Sequence, residues 1–129
     1  MWEVFKASKP YLEAVAGEFE LSSQQLYALK HLSNERPLAM SDLASVLCCD
    51  ASNVTAIVDK LESRGLVERK SADHDRRVKA LLVTPAGAAL QGRIRVRFEQ
   101  APPAIGNLPL EDQRSLRDLL RRALDSLAT

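Results

Sequence analysis

Short polar side chains cluster in this chain where they could read a nucleobase. The stretch Ser41–Gly65 reads SDLASVLCCDASNVTAIVDKLESRG. Its second half carries Val54, Ile57, Val58 and Leu61 at helical spacing, and Ser52, Asn53, Thr55, Asp59, Lys60 and Glu62 on the other face. A hydroxyl or carboxamide on so short a stem can approach base edges in a major groove closely. Basic residues follow at Lys60, Arg64, Arg69, Lys70, Arg76, Arg77 and Lys79, while Glu3, Glu13, Glu18 and Glu20 load the start of the chain. The net charge is only +1, so the distribution of charge, not its total, fits one nucleic-acid-facing end. The chain has no nucleophile–base constellation, no glycine-rich phosphate loop and no metal-spaced His/Cys cluster, so neither an enzyme nor a cofactor or metal site is expected. Asp73, His74 and Asp75 are close enough to tempt a metal reading, but a hairpin tip is too open for one.

These residues need two helices and a turn to place them. The first helical pattern has Leu43, Ala44, Val46 and Leu47 on its apolar side and Ser41 as its expected N-cap. Ala44 is small where the helices would touch. Gly65 can take the left-handed conformation that closes the second helix, which lets Leu66 pack back on Leu61. This is helix-turn-helix spacing, although any αα-hairpin with a solvated second helix would satisfy it. After Gly65 the period becomes extended. Strands are expected over Leu66–Arg69 and Val78–Val83, separated by the polar loop SADHDRR. A strand, charged loop and strand after a helix-turn-helix make a winged helix. Its tip is either an arm for the narrow minor groove or a solvated hairpin.

A chain of 129 residues, 46% hydrophobic and 27% charged, suits one globular domain. No apolar run approaches the roughly 20 residues of a membrane span, and the start lacks signal-peptide order, so a cytoplasmic protein is expected. Trp2–Phe19 shows a broken helical pattern, with a kink or restart expected at Pro10 and further weakening at Gly17. Ser22–Asn34 is a helix with a Ser22/Gln25 capping box, a Leu21/Leu26 staple and a Leu26, Leu29, Leu32 stripe; His31 beside it reads as a partly buried packing residue. Leu38–Met40 is a very short strand. Thr84-Pro85 opens a helix through Leu90, Ile94, Phe98 and Ala101 that Pro102-Pro103 ends, with Arg93, Arg95 and Arg97 as a solvated face. Leu110–Leu127 holds Leu116, Leu119, Leu120, Ala123, Leu124 and Leu127 on one stripe that needs a partner, part from the N-terminal segment and part from a second copy. Adjacent Cys48 and Cys49 do not staple the fold. They are either small packing residues or a pair whose oxidation or metal binding disturbs the turn.

With these motifs the chain resembles the MarR family of bacterial transcription regulators. The strongest part is LASVLCCDASNVTAIVDKLESRGLVER followed by DHDRRVKALLVTPAG, with Asp59, Leu61, Glu62, Gly65, Leu66 and Val67 matching the end of the family's recognition helix. Asp75 and Arg77, then Val83, Thr84 and Gly87, match its wing. The resemblance implies a mainly α fold with a small β wing, a winged helix-turn-helix over about 22–84, and dimerisation helices over about 2–19 and 85–128. It implies a homodimer on a pseudo-palindromic DNA duplex, acting as a ligand-responsive repressor. Asn53 and Thr55 would face bases, and Ser52 would meet phosphate at the helix front. Arg77 would enter the minor groove, oriented by Asp75, while Arg76 and Lys79 would contact phosphates; Ser41 and Lys60 complete the DNA-binding set. A small aromatic or phenolic effector would bind between the dimerisation helices and the winged helix, and Trp2, Tyr11 and His31 are candidates to line its pocket, although core packing explains each as well. Cys48 stands where glycine is common, Ala56 and His74 where arginine is frequent, and the first helix, holding Pro10, looks short. The alternative function is a winged helix that binds a protein and no duplex.

Overall fold

Each early helix is set by its ends. Ser22 Oγ accepts from the Gln25 amide at 3.1 Å and the Gln25 side chain accepts from the Ser22 amide at 3.0 Å, so the capping box forms as expected. The helix it opens, Ser23–His31, stops before Asn34, because Leu32 is already extended. A computed structural model describes residues 2–72 and 75–128, with the side chains of Phe5, Ala72 and residues 75–78 outside that description. The elements in order are α1 Trp2–Glu18, α2 Ser23–His31, β1 Leu38–Ala39, α3 Met40–Leu47, α4 Ala51–Ser63, β2 Val67–Ala72, β3 Asp75–Val83, α5 Pro85–Glu99, α6 Pro103–Gly106 and α7 Leu110–Ala128. The fold is mainly helical with a three-stranded antiparallel sheet in the order β1-β3-β2.

Several expectations are corrected. α1 does not restart at Pro10. Proline removes one ladder donor, but Val15 and Ala16 are fully buried and hold the last turns of the helix. His31 is exposed, its Nδ1 2.8 Å from the Tyr27 carbonyl oxygen and its ring against that tyrosine. Val46 is also exposed, which leaves Leu43 as the buried residue of α3. The strands reach further into the polar loop than expected: β2 and β3 pair from Val67↔Val83 to Ala72↔Asp75, with an irregularity at Ser71/Ala72. Backbone pairing carries a hairpin beyond its last apolar residue, where alternation gives no signal. After α5 the chain forms the short α6, with Pro103 in its first turn, a position that suits proline.

The chain divides into two units, Met1–Arg97 and Phe98–Thr129. The first holds a core of Leu29, Leu43, Val54, Val58, Leu61, Val67 and Leu81, joined by Leu90 and Ile94 of α5. The α4 stripe is buried as its spacing requires. The second holds α6 and α7, and Gln113 Nε2 donates to the Leu108 and Gly106 carbonyls, which closes the turn between them. No residue of α7 is buried; Leu119, Leu120, Leu124 and Leu127 are 48–83% exposed. Among the described residues no helix is long and apolar enough to cross a membrane.

Gly87 shows how tightly α5 meets the end of α4. A Cβ there would lie 2.0 Å from the Leu66 carbonyl oxygen and 2.9 Å from Val83. Helix propensity alone favours alanine over glycine by about 1 kcal/mol, but a clash with a backbone oxygen outweighs it. Gly87→Ala is expected to lower stability toward the upper end of the ~1–3 kcal/mol overpacking range, read as a lower urea midpoint. An unchanged midpoint would mean that α5 and the end of α4 separate freely.

Candidate nucleic-acid interface

Three residues, 48–50, join α3 to α4. Cys48 takes φ 53°, ψ 39°, and the amide of Cys49 reaches back to the Ala44 carbonyl at 3.1 Å. Gly65 closes α4 in the same way: φ is 71°, its amide donates to Glu62, and the Leu66 amide donates to Leu61 at 3.0 Å. Cysteine thus holds a conformation that costs a residue with a Cβ about 1–2 kcal/mol, which is why glycine is at ease there. Both thiols are free, Cys48 exposed and Cys49 half-buried. Ala44 is half-buried against the core between the two helices, as its size allows.

Ser41 is not the cap of α3. Ala39 fills that place without a side-chain bond, because β1 runs directly into the helix and Ala39 still pairs with Ala80. Ser41 sits exposed in the first turn, and its carbonyl accepts from Ser45 Oγ. With Met40, Ala44, Ala51, Val54 and Thr55 it lines a shallow depression of about 170 Å³ between the heads of α3 and α4. Trp2, Tyr11 and His31 do not line that depression.

The front of α4 is capped by Asp50. Its Oδ1 accepts from the Asn53 amide at 2.9 Å and from Ser52 Oγ at 2.8 Å, and these bonds hold its carboxyl below the usual range. Two consequences follow for the expected contacts. The Ser52 hydroxyl proton is already committed, and a carboxylate occupies the helix front where phosphate was expected. Thr55 Oγ1 donates back to the Ala51 carbonyl at 2.9 Å, so toward a base it offers lone pairs and a methyl group. Asn53 is exposed and its carboxamide makes no hydrogen bond among the described residues. Lys60 is likewise exposed and unpaired among them. Lys79 Nζ lies 3.3 Å from Ser71 Oγ across the hairpin. The side chains of Asp75, Arg76 and Arg77 lie outside the described residues, as do Asp73 and His74, the rest of the tempting metal trio.

Other basic residues are engaged within the chain. Arg69 donates to Asp59 at 2.6 Å and Glu62 at 2.9 Å, and it stays fully protonated beside them. Arg64 donates to the Glu20 carbonyl at 2.9 Å. Arg97, expected to be solvated, pairs with Glu18 at 2.8 Å and donates to the Tyr11 hydroxyl at 3.3 Å, tying α5 to α1. Gln91 donates from the same helix to the Leu29 and Leu32 carbonyls, satisfying the end of α2. Aspartate just before a helical run is a readable cap signal that could have identified Asp50. The partners of Arg69, Arg97 and Gln91 lie 7–86 residues away in sequence, where no local pattern points.

The sequence model of the MarR family matches residues 21–79. The homoprotocatechuate degradative operon repressor of Escherichia coli is 27% identical over 96 residues, covering 74% of this chain and 65% of the repressor. Across three curated relatives the chain spans 42–65% of their length. Among solved structures, wild-type MarR of E. coli superposes with a TM-score of 0.86 at 22% identity, covering 95% of this chain and 91% of MarR. A variant of S. aureus MepR bound to an oligodeoxyribonucleotide superposes with a TM-score of 0.69 at 21% identity, covering 97% and 93%. At these identities the structures establish the winged-helix fold.

Asp50 yields a pH prediction. A carboxyl held below its ordinary 3.8 adds stability at any pH above that value, and the contribution vanishes as pH falls through the lower native value. Asp50→Ala should therefore unfold at lower urea than the parent near neutrality, with the gap closing in acid below pH 3.8. A gap that stays constant into acid would mean that the carboxylate charge plays no part in the cap. Over residues 21–79 the chain matches the sequence pattern of the MarR family, and it shares the winged-helix fold of MarR.

Proposed function

We propose that the chain is a transcription repressor that binds duplex DNA as a homodimer in the cytoplasm. The observation that carries this reading is the exposed Asn53 carboxamide in the first turn of α4, free to pair with a base edge. The exposed Lys60 supplies charge on the same helix, and Lys79 supplies it on β3. Asp75, Arg76 and Arg77 fall on the hairpin that carries the wing. A second copy would bury the exposed leucines of α7, a stripe too long to leave to solvent. Ser41 and Thr55 at the rim of the depression would meet the edge of the groove, and Ser52 would accept rather than donate. Two paired recognition helices would lie about 34–36 Å apart, one turn of DNA.

The same reading includes a small aromatic or phenolic effector, in keeping with the relative that represses a homoprotocatechuate degradative operon. Such a ligand would change DNA affinity only as far as it prefers a helix spacing that does not match the duplex.

Anisotropy titrations on a preferred and a random duplex test the assignment. Asn53→Ala should weaken the preferred site by about 1–3 kcal/mol while sparing the random duplex; equal loss on both would remove Asn53 as a reader. Arg77→Ala should weaken both and flatten the dependence of affinity on salt by about one counterion. An unchanged slope would leave the wing off the DNA.

A further inference from the structure

Ser52, Thr55, Asp59 and Glu62 recur at intervals of three, four and three residues along α4, which puts them on one helical stripe. Its leading half is polar and uncharged; its trailing half carries two carboxylates. If the leading half enters a groove, the carboxylates follow within about a turn, inside the ~8 Å over which phosphates repel them. Both are taken up by one side chain. Arg69 of β2 places Nη2 2.6 Å from Asp59 Oδ1 and Nη1 2.9 Å from Glu62 Oε1, and its own side chain is only 22% exposed. Only residues 64–66 separate α4 from β2, so the bridge spans the joint between the helix and the wing hairpin.

We propose that Arg69 is a positioning residue for duplex recognition: by bridging Asp59 and Glu62 it fixes the angle of the wing hairpin to the recognition helix and offsets half the charge of the two carboxylates that share the reading stripe. This rests on the duplex-binding reading above. The acids of the bridge are 59% and 41% exposed, and ion pairs with exposed partners add little to stability, so the main effect of Arg69 falls on binding. The guanidinium is fully protonated at any physiological pH, and lysine cannot bridge two acids with the same rigid fork.

The test compares the parent with Arg69→Met, Asp59→Asn/Glu62→Gln and the triple combination. Each is titrated against the preferred and the random duplex over a range of salt, with thermal unfolding as a separate readout. Arg69→Met should lose about tenfold or more on both duplexes, because two bare carboxylates now face phosphate. The triple variant should recover the random duplex to within about threefold of the parent but keep a reduced preference for the preferred site, since charge is restored and angle is not. Asp59→Asn/Glu62→Gln, which needs no arginine removed, should bind random DNA more tightly and discriminate less. A folded Arg69→Met that binds as the parent does overturns the proposal, and so does a triple variant no better than Arg69→Met on random DNA. A parent that binds no duplex overturns the assigned function instead, an outcome distinct from either.

Discussion

The end of α4 is a knot of backbone atoms, and the rest of the winged helix hangs from it. Gly65 turns left-handed, and its carbonyl accepts from Thr84 Oγ1 at 2.6 Å. The Leu66 carbonyl accepts from the Thr84 amide at 3.1 Å. The same Thr84 oxygen then accepts from the Gly87 amide at 3.1 Å and so opens α5. One hydroxyl thus joins the end of α4 to the first turn of α5. Between these two ends, Val67 and Val83 pair as the base of the wing hairpin. α4, the β2–β3 hairpin and α5 leave a single point, and Gly87 is glycine because nothing larger fits against Leu66.

On the proposed reading, that joint divides affinity and specificity along one short chain. Buried Val54, Ile57, Val58 and Leu61 fix the roll of α4 and so decide which residues face outward. Asp50 fixes its front and Arg69 its flank, both through bonds made to charged groups. The acids of α4 are kept close to a basic partner, which leaves Asn53 and Lys60 as its polar groups whose side chains have no partner among the described residues. A chain of net charge +1 can thereby present a locally favourable surface to a polyanion.

Much of this was legible in the residues. Periodicity located the α4 core, glycine and threonine marked its end and the start of α5, and the Ser22 box marked α2. These signals are local, and local geometry sets them. The errors have a common physical source. Ser41 looked like a cap because the strand that takes its place is two residues long and pairs with a partner some forty positions away. Arg97 looked solvated because its acid lies 79 residues earlier. Pro10 looked like a break because the burial of Val15 and Ala16 depends on elements that come later in the chain. In each case a tertiary contact outweighed a local preference.

The account's central claim is that paired copies of this recognition helix and wing bind duplex DNA. Selection of bound duplexes from a random library at low salt, with the mass of the complex measured alongside, tests it most directly. The account predicts enrichment of two inverted half-sites centred about 10–10.5 base pairs apart, bound by two chains. A library that shows no enrichment, or a single half-site bound by one chain, would contradict it.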